Sequence, residues 1–306
     1  MSGSKPAWAG VFPAVTTQFH ADLSVDLPAT QKMVRKLIED GVDGIIACGS
    51  VGENSTLLPT EKRDIVAAIV EAADRRVPVL AGLGESNTAA ACDYARDVER
   101  LGANGMMVMP PMIYSAAPHE IEMWFRTIAA ASDLPIMLYN NPPAYRVNIG
   151  VDVLRALEDV PNIKAVKESA PDPRRFTDLI NVFGDRYDLF AGLDDVALEG
   201  LMLGAKGWVS GLTSAFPQES VQLVAAADRG DWEEARRIYR WFMPLLHLDA
   251  EHDLVQSIKL AEQIMGRGSE RVRMPRLPLS GARRAEVTAM VEKAAATRPL
   301  ATLRAA

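Results

Sequence analysis

The stretch Ile163-Lys164-Ala165-Val166-Lys167-Glu168-Ser169 has the form of a short buried strand that ends in a lysine. Because side chains alternate along a strand, Ile163, Ala165 and Lys167 share one face, which we expect to belong to the core. An ammonium group in such a place is desolvated, so its pKa falls, and the resulting amine can form a Schiff base. Taken alone, the stretch more often indicates a lysine that reaches solvent or pairs with an acid.

The same unit, a short apolar strand followed by a helix, repeats on both sides of this stretch. The predicted strands cover residues 11–19, 44–49, 77–82, 105–109, 135–139, 163–167, 187–191 and 207–212. They are mostly apolar on both faces, which is typical of parallel strands covered by helices. Eight such units predict a (β/α)8 TIM barrel. The alternative, a doubly wound open sheet, would use the same alternation with fewer strands.

The alternation stops after the eighth strand, and the remaining pattern predicts helices only. These helices cover residues 219–227, 232–248, 254–265 and 283–294. We therefore divide the chain into a barrel of residues 1–213 and a C-terminal helical appendage of residues 214–306 that packs on it.

Composition excludes several classes of protein. The chain has 306 residues, of which 48% are hydrophobic and 24% charged, as in ordinary globular proteins. The net charge of −7 argues against nucleic acid or an anionic membrane surface as the main partner. Two cysteines give no disulfide framework. Residues 1–8 lack the apolar run of a signal peptide and no segment is apolar enough to span a membrane, so we predict a cytoplasmic location.

Three side chains are predicted to meet at the mouth of the barrel, where the strands end. Lys167 ends the sixth strand, Tyr139 ends the fifth, and Ser50 follows the second. Lys164 lies near the start of its strand and faces the other way. An amine, a phenol and a hydroxyl can move protons on a bound carbonyl or imine without a metal. The alternatives are a structural tyrosine and a serine that only shapes its turn.

The turn Ser50-Val51-Gly52-Glu53 offers backbone N–H groups that can bind an anion. It lacks the Gly-Lys-Ser/Thr ending of a phosphate loop, and a single carboxylate fits it better. Met112 lies beyond the fourth strand, where we expect it to line the pocket.

Other polar residues have a structural interpretation first. His247 and His252 lie among acidic residues, which is more typical of a solvated helix face than of a metal site. Asp194 and Asp195 follow the seventh strand, and we expect them to cap the next helix, with substrate contact as the alternative.

Five stretches spread over nearly the whole chain carry a family resemblance. They are Gly49-Ser50-Val51-Gly52-Glu53, Tyr139-Asn140-Asn141-Pro142, Val166-Lys167-Glu168-Ser169, Ala191-Gly192-Leu193-Asp194 and Arg276-Leu277-Pro278-Leu279-Ser280. In them the chain resembles the dihydrodipicolinate synthase / N-acetylneuraminate lyase family of Schiff-base aldolases. The resemblance implies that Lys167 forms a Schiff base with a 2-oxo acid and that Tyr139 moves protons. It also implies that Ser50 and Val51 hold the substrate carboxylate. No organic cofactor or catalytic metal is implied, and the expected assembly is a homotetramer or homodimer.

At two positions that determine which substrate binds, this chain has other residues than the synthase of this family. The synthase has a tyrosine of its proton relay where this chain has Met112, and a carboxylate-binding arginine where it has Ala144. Tyr114 and Arg146 lie two positions beyond these residues and are the candidates to replace the missing groups.

The loop Asn140-Asn141-Pro142-Pro143-Ala144-Tyr145 resembles that of deaminases acting on 1-pyrroline-4-hydroxy-2-carboxylate. This resemblance predicts ring opening by the lysine, with 2-oxoglutarate semialdehyde and ammonia as products. The alternatives are aldolases or dehydratases of 2-keto-3-deoxy sugar acids, then 4-hydroxy-tetrahydrodipicolinate synthase, and last a barrel that binds a keto acid without catalysis. The candidate substrate-binding residues are Val51, Gly52, Met112, Asn141, Ala144, Arg146, Gly192 and Ser210.

Overall fold

Eight parallel strands form one sheet in the computed structural model of this chain, which describes residues 8–299. The strands are β1 Gly10–Pro13, β2 Ile45–Ala47, β3 Val79–Leu83, β4 Gly105–Val108, β5 Ile136–Asn140, β6 Ile163–Glu168, β7 Asp188–Ala191 and β8 Gly207–Ser210. Their order is β1-β8-β7-β6-β5-β4-β3-β2. A parallel bridge between Ala14 and Ile46 joins the two end strands. The sheet therefore closes, and the predicted (β/α)8 barrel is confirmed.

Helices cover the strands on the outside and continue after the last strand. They are α1 Leu27–Glu39, α2 Pro59–Ala73, α3 Thr88–Arg100, α4 Pro118–Ala129, α5 Pro142–Tyr145, α6 Val151–Ala156, α7 Arg174–Phe183, α8 Ala197–Met202, α9 Pro217–Asp228, α10 Trp232–Leu246, α11 Leu254–Ile264 and α12 Gly281–Ala296. Polar side chains set several starts: Asp26 accepts a hydrogen bond from the Ala29 N–H, and Asn87 from that of Ala90. No helix within residues 8–299 is both long and apolar enough to cross a membrane.

The helix after β8 belongs to the barrel by its packing. α9 contacts β1 and α8, so the eighth βα unit extends beyond residue 213. The division into residues 1–213 and 214–306 stays a prediction. Residues 1–7 and 300–306, at the outer ends of the two predicted parts, lie outside the described residues. Residues 1–7 are also most of the segment whose composition argues against a signal peptide.

The first strand is shorter than predicted. β1 ends at Pro13, whereas the apolar pattern predicts a strand over residues 11–19. The segment beyond it is buried, but the side chains of Thr16 and Gln18 turn toward the tail helix α11. Thr16 Oγ1 donates to Glu262 Oε2 at 2.8 Å, and Gln18 Nε2 donates to the same oxygen at 3.1 Å. A buried carboxylate needs such donors, which accounts for the early departure from the sheet.

Candidate active site

Lys167 and Tyr139 lie side by side at the C-terminal ends of β6 and β5. They are direct partners in the parallel ladder, and Lys167 Nζ is 3.9 Å from the centroid of the Tyr139 ring. Each side chain is only 5% exposed. Burial lowers the pKa of Lys167, while the charge of Asp249 is the largest influence that raises it. The amine is therefore held in the desolvated position that favours a neutral nucleophile.

Lys164, three residues earlier on the same strand, is far from this mouth. It lines a surface cavity near the start of β6, together with Arg126 and Asp159. The two lysines of the opening stretch thus have different surroundings, as strand alternation predicts.

Asn141 positions the hydroxyl of Tyr139. Its Nδ2 donates to Tyr139 Oη at 3.0 Å, while its Oδ1 accepts from the Ala144 N–H at 3.1 Å and so starts α5. Burial raises the pKa of Tyr139 to about 12, against the effect of this hydrogen bond. Tyr139 is consequently a neutral phenol that can give or accept a proton through a partner.

Tyr145 lies between Tyr139 and Ser50, a position that sequence reasoning did not assign to it. Its ring meets that of Tyr139 edge to face, with centroids 5.4 Å apart, and its hydroxyl bonds to Ser50 Oγ. Burial raises the pKa of Tyr145 well above its ordinary value. The hydroxyl groups of Ser50, Tyr145 and Tyr139 thus form a series that ends beside Lys167. The missing signal was helix α5, which turns Tyr145 inward; from the sequence these residues are expected to form a loop.

The two residues predicted to replace the relay tyrosine and the carboxylate-binding arginine of the synthase are exposed. Tyr114 is 54% exposed and lies beside His119 and Glu120. Arg146 follows α5 in the left-handed conformation and is exposed, as is Ala144. In this single chain both Tyr114 and Arg146 are thus open to solvent, and their roles stay predictions.

Met112 is half-buried at the edge of the mouth. Its methyl group lies 3.5 Å from the point that a Cβ on Gly84 would occupy, close to Asn54 Oδ1. The methyl group of Met112 therefore borders the loop that follows β3, near Asn54.

Ser169 and Gly192 complete the wall around the lysine. A Cβ on Gly192 would lie 2.3 Å from Ser169 Oγ and 2.6 Å from Lys167 Cε, so only glycine fits there. Ser169 is fully buried, and its hydroxyl makes no well-formed hydrogen bond with another described residue. The hydroxyl instead lies close to that of Tyr139, whose pKa it acts to lower. Extending the alternation of β6 by two residues would have predicted Ser169 from the sequence.

The turn after β2 is held rigidly below the mouth. A Cβ on Gly52 would lie 3.0 Å from the Val15 carbonyl oxygen, and the Gly52 carbonyl accepts from Thr17 Oγ1 at 2.7 Å. Glu53, fully buried, accepts from Lys259 Nζ of α11 at 2.8 Å. The backbone N–H of Val51 has no acceptor within residues 8–299. This N–H is a suitable donor for a substrate carboxylate.

The predicted capping role of Asp194 and Asp195 after the seventh strand is wrong, whereas the substrate role of Ser210 stays a prediction. Asp194 does not cap the next helix; it accepts hydrogen bonds from Trp208 Nε1 and Ser210 Oγ, both at 2.9 Å. Ser210, predicted to bind substrate, uses its hydroxyl on Asp194 and on the Thr213 N–H. Asp195 does not cap the helix either, since its Oδ2 lies 2.8 Å from His247 Nδ1. A buried carboxylate recruits the nearest donors, and here they come from β8.

Asp249 reaches the mouth from the C-terminal tail, in a short 3-10 helix, His247–Ala250. Asp249 is one of the acidic residues around His247 and His252 that were predicted to lie on a solvated helix face, and this is wrong for Asp249. Its charge acts on Lys167, Tyr139 and Asp194. Burial raises its pKa to about 6, against the opposing effect of Lys167. The sequence carried no signal for this placement, because it depends on how the tail packs on the barrel.

Comparisons with known proteins agree on the family. The sequence model of the Dihydrodipicolinate synthetase family matches residues 7–294. The 4-hydroxy-tetrahydrodipicolinate synthase of Acidobacterium capsulatum is 33% identical over 281 residues, covering 91% of this chain and 93% of that protein. That of Pelobacter propionicus is 32% identical over 283 residues, covering 92% and 97%.

Solved structures give the same result. The dihydrodipicolinate synthase of Aquifex aeolicus has a TM-score of 0.90 at 28% identity, covering 94% of this chain and 98% of that one. That of Acinetobacter baumannii, solved in complex with pyruvate, has a TM-score of 0.90 at 27% identity, covering 94% and 99%. Sequence and fold agree, and this chain belongs to the dihydrodipicolinate synthetase family.

Proposed function

We propose that Lys167 forms a Schiff base with a small 2-oxo acid or cyclic 2-imino acid. The observation that carries this proposal is the buried amine, with its lowered pKa, packed against Tyr139 at the mouth of the barrel. A neutral amine is the form that attacks a carbonyl or imine carbon. The pyruvate complex of the Acinetobacter baumannii relative supports a 2-oxo acid as the ligand class.

The surrounding residues supply the other parts of the reaction. The Ser50–Val51 backbone would hold the substrate carboxylate, since the Val51 N–H has no protein acceptor among the described residues. Tyr139 would transfer protons at the reacting carbon, and Tyr145 and Ser50 would carry them onward through their hydrogen bond. Asn141 would keep the Tyr139 hydroxyl in place.

The best substrate for this arrangement is 1-pyrroline-4-hydroxy-2-carboxylate. Lys167 attacks C2, the ring nitrogen leaves C2 as an amine that stays on C5, and the ring opens. Loss of a proton from C3 and of the hydroxyl from C4 expels water and leaves a double bond that shifts to an imine at C5. Water releases ammonia from C5, and a second water frees the lysine. The net reaction consumes one water and gives 2-oxoglutarate semialdehyde and ammonia.

The second candidate is 4-hydroxy-tetrahydrodipicolinate synthase, and the names of the relatives favour it over the deaminase. Their identity to this chain is only 33% and 32%. The site argues against this candidate, because Ala144 replaces the arginine for the second carboxylate and Arg146 is exposed. We therefore keep the deaminase as the proposal.

Borohydride trapping tests the chemistry. Pyruvate and borohydride should add mass to Lys167 in the wild type and in Lys164→Ala, but not in Lys167→Ala. A wild type without an adduct, or an adduct that persists in Lys167→Ala, would refute the Schiff base. For the substrate, ammonia release from 1-pyrroline-4-hydroxy-2-carboxylate is compared with condensation of pyruvate and aspartate semialdehyde. Condensation without ammonia release would replace the deaminase by the synthase.

We also propose that the protein forms a homotetramer or homodimer. Ile113, Tyr114 and Met123 are 76%, 54% and 59% exposed, and they lie in and after the loop that follows β4. Apolar side chains exposed together in this way often mark a contact with another chain. Light scattering should give an oligomer whose mass falls in Ile113→Asp, and a monomeric wild type would refute the assembly.

A further inference from the structure

Asp249 is a carboxylate at the mouth of the barrel that no protein side chain satisfies. Within residues 8–299 no side chain donates a hydrogen bond to it; its charge is favoured by the nearby Lys167 and by the backbone N–H of Asp194. Its neighbours in sequence and space are engaged elsewhere: Asp195 with His247, and Asp194 with Trp208. An acceptor left open beside a nucleophile is suited to a substrate group.

The position of Asp249 places this acceptor beside the carboxylate-binding turn. Asp249 Oδ1 lies 3.2 Å, and Val51 Cγ2 3.1 Å, from the point that a Cβ on Gly211 would occupy. The same carboxylate is the strongest charge acting on Lys167. A ligand bound to Lys167 with its carboxylate on the Val51 N–H therefore has Asp249 within reach of its remaining atoms.

The charge of this group determines what the remaining atoms of the ligand can be. A carboxylate accepts a hydrogen bond from a hydroxyl or a protonated nitrogen. It repels a second carboxylate, and like charges placed together at a desolvated site are strongly unfavourable. The cation that acts on Asp249 is Lys167, the proposed nucleophile itself. No arginine is placed to bind a second carboxylate, since Ala144 stands where the synthase has its arginine and Arg146 is exposed.

We propose that Asp249 determines specificity: its carboxylate accepts a hydrogen bond from a hydroxyl of the substrate and rejects substrates that carry a second carboxylate. The inference rests on the proposed Schiff base at Lys167 and deepens it. The residue comes from the C-terminal tail, so substrate choice in this chain is set by the packing of the tail on the barrel as well as by the strand ends.

The test uses borohydride trapping with probes that differ in one group. Pyruvate is compared with 2-oxoglutarate, which adds a second carboxylate, and 1-pyrroline-4-hydroxy-2-carboxylate with 1-pyrroline-2-carboxylate, which lacks the hydroxyl. The wild type should prefer pyruvate and the hydroxylated ring. In Asp249→Asn, each preference should fall about tenfold or more, which is the range for a hydrogen bond to a charged group.

Two further variants separate charge from structure. Asp249→Glu keeps the charge but moves the oxygens, so it should still reject 2-oxoglutarate while losing part of the preference for the hydroxyl. Glu251→Gln, two residues away and bonded to Arg283, should trap all four probes like the wild type. The pH profile of pyruvate trapping should shift to lower pH in Asp249→Asn, because the charge that raises the pKa of Lys167 is gone.

The outcomes distinguish this inference from the function on which it rests. If the wild type traps no probe, the Schiff base itself is refuted. If the wild type traps pyruvate at Lys167 while Asp249→Asn leaves both preferences and the pH profile unchanged, the role of Asp249 is refuted and the Schiff base stands.

Discussion

Lys259 of helix α11 and Glu53 of the turn after β2 form an ion pair in which both side chains are fully buried, with Nζ and Oε1 2.8 Å apart. Lys259 also donates to the Thr17 carbonyl, and Glu53 accepts from the Arg273 N–H. Since Glu53 directly follows the Ser50–Gly52 turn, this pair fixes the turn to the tail. The C-terminal region thus contributes to the site through this anchor as well as through Asp249.

Lys259→Met should strongly destabilise the protein, because it leaves Glu53 charged, buried and without its partner. Loss of one member of a buried pair costs about 3–5 kcal/mol of unfolding free energy. Urea denaturation at neutral pH measures this loss. The double variant Lys259→Met/Glu53→Gln should recover part of it, whereas Arg96→Ala, which breaks an exposed pair with Asp93, should change little. Equal effects of Lys259→Met and Arg96→Ala would contradict the anchor.

Tyr145→Phe should slow catalysis without preventing the first step. The ring can keep its edge-to-face contact with Tyr139, but the hydrogen bond to Ser50 is lost. We expect turnover to fall about a hundredfold, in the range for loss of a general acid or base, with pyruvate trapping at Lys167 retained. Steady-state kinetics measure this. Tyr114→Phe is the matched control, and a larger effect there than in Tyr145→Phe would rule out the proposed relay.

The barrel was predictable because its signals are local. Apolar runs repeat in each βα unit, glycines end several of its helices, and strand ends then bring Lys167, Tyr139 and Ser50 to one mouth. The roles that sequence reasoning missed depend on packing at a distance. Tyr145 turns inward only because Asn141 starts a short helix, and Asp249 reaches the mouth only through the packing of the tail. Ser210 was predicted to bind substrate, but the buried Asp194 takes its hydroxyl.

Gly192→Ala should disable the lysine sterically. The added methyl group would lie 2.6 Å from Lys167 Cε and 2.3 Å from Ser169 Oγ, so the lysine must move from its place beside Tyr139. A displacement of about 1 Å at a reacting group costs on the order of a hundredfold in rate. Gly150→Ala is the control, since nothing lies within 4 Å of its added methyl group. Trapping rates compare the two, and full reactivity in Gly192→Ala would contradict the described wall.

Glu262 should make the protein less stable as the pH rises. Burial raises its pKa from 4.5 to about 7, although hydrogen bonds from Thr16 and Gln18 and the charge of Lys259 act against this. The folded state therefore holds the proton longer than the unfolded chain, so the stabilisation is full below pH 4.5 and is lost as the pH rises through 7. Between pH 5 and pH 8 the wild type should lose about 2–3 kcal/mol of unfolding free energy from this group. Glu262→Gln removes the titration, so its stability relative to the wild type should increase by that amount over the same range. Urea denaturation at both pH values measures the difference, and a difference that is independent of pH would show that Glu262 ionises at its ordinary pKa.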